Sequence, residues 1–480
     1  MRSMRFSLPP LAALVITLAL CPSARSQTFT TVVNLNGTDG EYASALAQAT
    51  DGNYYGAVSV GGTNNGGAIF QFTAGGNLTD TYSFCSLPNC ADGYDPTAAP
   101  ILGSDGILYG TTSAGGVANG GGASQAGTVF KMTLGGKLAN LYSFCPKSGC
   151  FDGSGPVGLV QASNSNFYGA TASGGKFGEG TLFELTSTGG FKLMYTFCSR
   201  ENCADGSLPR SAPMQASNGN FYGTTQLGGS HNDGVVYEIT PTGSYKVLYN
   251  FCAQVNCSDG QYPMSAVVQD SAGNLFGTAF YGGAYGDGVV YEITPKNQYV
   301  VLYSFNGIDG GSSYAALTLA NDGNLYGTSV ISNNNWNEGN IFKVTPQGEY
   351  TSLYSFCNYG TCTGYAPMTT LLEATNGTLY GATTYGGAYN YGTVFSLNNS
   401  LSPLVETVPM RGKVGTRVII LGNNLTGSTS VTFNGTEAAF TVESDTYITA
   451  TVPTGAITGT ISVTTPTGAL NSNPVFQVLN

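Results

Sequence analysis

The chain has one histidine and one tryptophan in 480 residues, and only 9% of it is charged. Each scarcity excludes something. One His cannot build a His-rich metal centre, and no Ser-His-Asp set is identifiable around it. Sixteen basic residues face 27 acidic ones, so the surface repels phosphate backbones and nucleic acid is excluded as a partner. Beyond the N-terminus, no apolar run reaches the roughly 18–20 residues a membrane span requires. No phosphate-loop signature is present, and scattered Gly-x-Gly matches follow from 69 glycines. What remains abundant is Gly, Thr, Asn and Val, with 30 Tyr and 24 Phe. That composition fits short strands joined by tight turns, since a disordered chain carries more charge and fewer aromatics.

The N-terminus reads as an export signal over residues 1–26. Arg2 and Arg5 precede the apolar run "LPPLAALVITLAL", and "ARS" before Gln27 places small residues at the cleavage-defining positions. Cys21 suggests a lipoprotein site, but Leu20 before it is too bulky for the usual pattern. Cleavage after Ser26 leaves 13 basic against 27 acidic residues, a net charge of −14. The other ten cysteines fall in five pairs of one spacing: Cys85 with Cys90, Cys145 with Cys150, Cys198 with Cys203, Cys252 with Cys257, and Cys357 with Cys362. A zinc reading requires two pairs to converge, so five local disulfides are expected, consistent with a secreted or cell-surface protein. Each closes a short loop and stabilises by about 2 kcal/mol in the chain-entropy model.

From Thr30 to about Ser400 the chain repeats. The Gly of an aromatic-Gly pair recurs at Gly56, Gly110, Gly169, Gly223, Gly277, Gly327 and Gly381, at spacings of 54, 59, 54, 54, 50 and 54. A period of that size signals stacked supersecondary units. Each unit carries four short strand patterns, in the fourth copy "SAPMQAS", "FYGTTQ", "VVYEIT" and "YKVLYNF". The seventh copy stops after its third strand, while "TTVVNLNGTDGEYASALAQAT" begins with a fourth-strand pattern. The expected architecture is therefore all-β: a seven-bladed β-propeller over residues 27–400, closed by the N-terminal strands. From 403 to 480 about seven alternating strands without internal period predict a small immunoglobulin-like β-sandwich.

Two resemblances support this. The repeats, through "GNLYGTT"-like segments followed by Gly-Gly and then G-x-V-F/Y, resemble the bacterial GloVer tandem repeats of secreted choice-of-anchor proteins. Pro409, Gly412 and Gly415, with "LGNNL", "VTFNG" and "VPTGAITGTISVTT", resemble the IPT/TIG family. Neither resemblance brings catalytic residues, a metal or a cofactor.

Candidate chemistry sits in the Gly-Gly loops, which blade geometry places on one face with the cysteine loops. Three residues before the closing glycine stand Phe177, His231, Tyr285, Trp336 and Tyr389; one before it stand Glu179, Asp233, Asp287 and Glu338. Four readings are open. Aromatic faces and carboxylates suit an extracellular polysaccharide or a surface protein as partner. Alternatively, each ring packs on a neighbouring cysteine loop while the acid caps backbone N–H groups. A hydrolase or lyase using these carboxylates is a third possibility, disfavoured because catalytic pairs need dissimilar environments. A purely structural surface role is a fourth. A second column, Asp39, Asp92, Asp152, Asp205, Asp259 and Asp309, precedes strand one, with Thr363 at that phase in the sixth blade. It suits Ca²⁺ as a ring, but Asp before Gly also bonds its own turn, which is the preferred reading. Tyr55, Tyr109, Tyr168, Tyr222, Phe276, Tyr326 and Tyr380 are expected to pack between blades. The overall expectation is a non-catalytic, monomeric, exported binding protein.

Overall fold

Antiparallel pairing within each copy follows from its turn residues. The computed structural model describes residues 27–117, 126–147, 149–356 and 363–479. Six four-stranded sheets each take their strands in chain order from one copy. The fourth is representative: Met214–Gln215, Phe221–Thr225, Val235–Ile239 and Tyr245–Asn250. A seventh sheet is formed by Leu372–Glu373, Leu379–Thr383 and Thr393–Asn398, and Thr28–Asn34 supplies its fourth strand. That pairing runs antiparallel from Thr28↔Asn398 to Asn34↔Thr393. The export-signal residues, Cys357 and Cys362 lie outside the described residues.

The repeating aromatics place the sheets against one another. All seven residues from Tyr55 to Tyr380 are buried, and each packs between its own sheet and the next. Tyr168 meets Phe221 of the fourth sheet at 4.1 Å between ring centroids, and Tyr380 of the seventh meets Tyr54 of the first at 4.5 Å. Fourth strands add parallel stacks: Tyr195 on Tyr245 at 4.0 Å and Tyr249 on Tyr299 at 3.8 Å. Phe29 of the N-terminal strand stacks on Tyr354 in the same way at 3.7 Å. The first strand in the chain thus behaves as a fourth strand. The architecture is all-β and propeller-like.

Most innermost strands are shorter than their sequence patterns predict, Glu41–Gln48 and Ser154–Gln161 excepted. In five sheets they hold two residues, as at Met214–Gln215. In the fourth sheet Pro213 precedes the strand and has no N–H for the ladder. The sixth copy differs again. It lacks the Gly-Gly pair, and its second and third strands, Leu325–Ser332 and Asn335–Val344, continue into a hairpin. Asn333 and Asn334 turn it with φ of 50° and 60°, the left-handed pair that a two-residue hairpin needs. Trp336, which looked like a loop residue, therefore has its backbone in a strand, paired with Ile331.

The C-terminal segment forms two four-stranded sheets around Val418, Ile420, Val431, Phe433, Ile461 and Val463. A parallel pair, Arg411–Lys413 with Gln477–Leu479, lies beside them. The sandwich docks on the turns that join innermost and second strands. Thr446 donates to Thr50 O at 2.6 Å, Asn423 Nδ2 to Thr375 Oγ1 at 2.6 Å, and Arg411 to the carbonyls of Gln215 and Ala216. Ile419 and Leu421 bury apolar area against Ala49 and Tyr55. Gly-Gly and cysteine loops lie at the opposite ends of the strands, so the sandwich leaves them uncovered.

Candidate functional site

Three predicted ring residues with described side chains are open to solvent: Phe177 at 44%, Tyr285 at 68% and Tyr389 at 60%. His231 is exposed as well. Lys176 lies over the Phe177 ring with its Nζ 5.3 Å from the centroid. Nothing is described of the Trp336 side chain. Local backbone explains the outward display. The residue after each of Phe177, His231, Tyr285 and Tyr389 turns left-handed, at Gly178 (φ 85°), Asn232 (63°), Gly286 (92°) and Asn390 (64°). The turn separates the ring from the acid that follows.

The acids stand lower. Asp233 is buried, with Oδ1 accepting from Gln261 Nε2 at 3.1 Å, while Glu179, Asp287 and Glu338 are half-buried. Burial, then repulsion from Asp309, raises the Asp287 carboxyl above the ordinary range. Their main chains have a separate task. The carbonyls of Glu179, Asp233, Asp287 and Glu338 accept N–H groups of Leu208, Tyr262, Ser312 and Ala366 from the next sheet, at 3.0, 2.9, 2.8 and 3.4 Å. All four donors have positive φ, between 51° and 54°. At the same phase Gly66 and Ala126 accept from Asp95 and Gly155 at 2.9 and 3.0 Å. Gly and Ala make the same rung without a carboxylate, so the acidic side chains are not required for it.

Five of the six acids in the second column are committed to their own loops, while the carboxyl of the sixth, Asp39, is raised by burial and by Asp80. Asp205 accepts Tyr195 Oη at 2.6 Å, Ser199 Oγ at 2.6 Å, and the N–H groups of Ser199 and Arg200 at 2.9 and 3.2 Å. Asp92 and Asp259 repeat the arrangement with Tyr82 and Tyr249 and two N–H groups each. Asp152 takes Tyr142 and the Cys145 N–H, and Asp309 takes Tyr303 and the Asn306 N–H. Thr363 pairs with Tyr354 at 2.8 Å. Burial alone would raise the Asp205 carboxyl; the hydrogen bonds outweigh it and lower it. These are the self-bonding turns the Asp-Gly pairs suggest.

Four disulfides are formed among the described residues: Cys85–Cys90, Cys145–Cys150, Cys198–Cys203 and Cys252–Cys257. The fifth expected bridge, between Cys357 and Cys362, is not among these four, because Cys357 and Cys362 both lie outside the described residues. All eight bridged cysteines have φ between 43° and 58°, a left-handed region costly for a non-Gly residue. Asp233 lies beside Cys252 and Cys257 within metal-ligand spacing, but both sulfurs are bonded to each other.

One group of residues escaped sequence reasoning. Gln48, Gln161, Gln215 and Gln269 share a phase in the innermost strands, where their Oε1 atoms accept a turn N–H of the preceding sheet at 2.7–3.0 Å. Glu373 occupies that phase in the seventh sheet and accepts the Asn321 N–H at 3.1 Å. Burial, and then repulsion from Asp322, pushes its carboxyl up to about 7, against the pull of its hydrogen bonds from Asn321 and Asn473. Across the sandwich boundary stand Glu406 and the buried Arg411. A Glu among glutamines was the available signal; the sandwich residues had none.

The whole is a repeat-built, propeller-like all-β protein with an immunoglobulin-like module, and no helix among its described residues is long and apolar enough to cross a membrane. The chain belongs to the Gloeobacter/Verrucomicrobia repeat family, whose model matches residues 19–214 and 199–395, and an IPT/TIG domain matches residues 403–478. No curated protein matches it. Solved structures similar to it include the PQQ-bound aldose sugar dehydrogenase of Streptomyces coelicolor, at 12% identity over 78% of this chain and 98% of that one, TM-score 0.40. A luciferin-regenerating enzyme follows at 10% identity, 78% and 95% coverage and TM-score 0.39. A Bacteroides thetaiotaomicron protein of unknown function has 12% identity, 78% and 76% coverage and TM-score 0.41. At these scores the likeness carries no argument about activity.

Proposed function

We propose that this is an exported binding protein whose Gly-Gly loop face recognises an extracellular polysaccharide. Its seven sheets act as the blades of one ring over residues 27–400, fastened by the N-terminal strand, with the sandwich from 403 onward and an export signal over 1–26. The observation that carries the reading is the display of Phe177, Tyr285 and Tyr389 to solvent at one repeat phase. Exposed rings at a shared position mark an interaction surface more than a core, since a packing role would bury them. Carboxylates two residues after Phe177 and Tyr285, those of Glu179 and Asp287, are dispensable to the backbone rung, and they offer acceptors for sugar hydroxyls. Rings can stack on the apolar faces of sugars while the acids fix orientation. Disulfides and capped Asp-Gly turns hold the adjoining loops, so little ordering entropy opposes binding.

A glycan array of the purified protein tests this, run beside Tyr285→Ala and Trp336→Ala. The expected outcome is binding to a polysaccharide family, weakened at least tenfold by each substitution. No binding by the wild type, or binding unchanged by both substitutions, overturns the proposed face.

A further inference from the structure

Where the sandwich meets the turn face, a cleft of about 780 Å³ opens between the two. Met214, Val268, Leu317, Met410 and Val475 supply much of its wall. The charged groups along it are Glu406, Arg411 and Asp270, with Glu373 acting on Glu406 and Asp322 acting in turn on Glu373. Most of these are already engaged. Arg411 donates to the carbonyls of Gln215 and Ala216. Asp270 accepts from Asn274 N and Nδ2 at 2.8 and 2.9 Å, and Glu373 from Asn321. Both ion pairs found among the described residues lie elsewhere, at Lys192–Glu184 and Arg417–Glu443.

Glu406 is the exception. Its carboxyl has neither a hydrogen bond nor a cation within ion-pair distance among the described residues, and burial, reinforced by Glu373, pushes it up to about 7. A second group points the same way. Gln477 lines the cleft, and its Oε1 is buried with no hydrogen-bond partner. Two acceptors, one of them acidic, thus lack donors beside an apolar wall.

We infer that this interdomain cleft is a binding site for a small organic cation, a primary ammonium carried on an apolar body. The ammonium supplies the positive charge that Glu406 lacks, while the body covers the apolar wall. A bare metal ion would leave that wall unfilled. An anion would meet Glu406 and Asp270 with the Arg411 guanidinium already donating to carbonyls. The site lies on the face opposite the Gly-Gly loops, so it stands apart from the polysaccharide reading.

Isothermal titration of the full chain with benzylamine, with benzyl alcohol as the neutral isostere, tests the site. Saturable benzylamine binding is expected, with no binding of the alcohol. Because the ammonium selects the ionised carboxyl, affinity should be about tenfold weaker at pH 6 than at pH 8, with proton release near pH 7. Glu406→Gln should weaken binding at least tenfold and remove the pH dependence. No benzylamine binding at millimolar concentration overturns the inference, as does equal binding of the alcohol, or an affinity independent of pH in the wild type. The wild-type arms decide the matter even if Glu406→Gln misfolds.

Discussion

A glycine follows an aromatic residue in every copy because a ring lies across it. Gly223 pairs with Tyr237, and a Cβ on Gly223 would overlap the Tyr237 ring; Gly169 and Gly381 meet Phe183 and Phe395 in the same way. The backbone at these glycines is ordinary strand, so the constraint is space and not φ. Gly223→Ala is therefore expected to cost about 1–3 kcal/mol through overpacking, visible as a lowered midpoint in urea with an unchanged slope. Sequence alone showed the glycine column clearly but not its reason, since the ring that requires it sits 14 to 20 residues further on. Arg411 and Glu406 were invisible for a stronger reason. Their setting is created by a second domain, and no local pattern announces a contact between segments about 200 residues apart, as in Arg411 with Gln215.

Strands and loops were more legible than single residues. Turn residues and aromatic spacing located four strands per copy, and the phase of the chain's start located the strand that pairs with Thr393–Asn398. What periodicity could not give was length: five innermost strands hold two residues, while Glu41–Gln48 and Ser154–Gln161 run for eight across a register shift. Nor could it foresee the Asn333–Asn334 hairpin, where a run of polar residues extends two strands. At this scale the cysteine loops are the testable elements. Spacing pointed to five bridges and four are formed among the described residues, with Cys357 and Cys362 outside them. Cys252 and Cys257 hold left-handed backbone that their disulfide helps to retain, above an Asp259 cap. Replacing both with Ser should cost about 2 kcal/mol, read by chemical denaturation. The same change should leave the aromatic core between the fourth and fifth sheets intact, because Phe251 and Tyr291 pack independently of it. A near-ultraviolet circular dichroism spectrum matching the wild type checks that second point.

Across the whole molecule, the two faces are built differently. The sandwich covers the turn face, with Thr446 on Thr50, Asn423 on Thr375 and Arg411 on Gln215. The loop face stays open and carries the exposed rings. That division explains why the rings tolerate a change from Phe to His to Tyr while the buried aromatic column keeps to Tyr and Phe. Trp336 makes the division directly measurable, because it is the only tryptophan in the chain and stands in the ring column. Its emission reports from one place on the proposed binding face, with no background from other indoles. Titration with the polysaccharide selected by the array should shift Trp336 emission saturably, with a midpoint equal to the Kd that isothermal titration gives for the same polysaccharide. Binding that leaves the emission unchanged would contradict the account by placing the ligand elsewhere on the molecule.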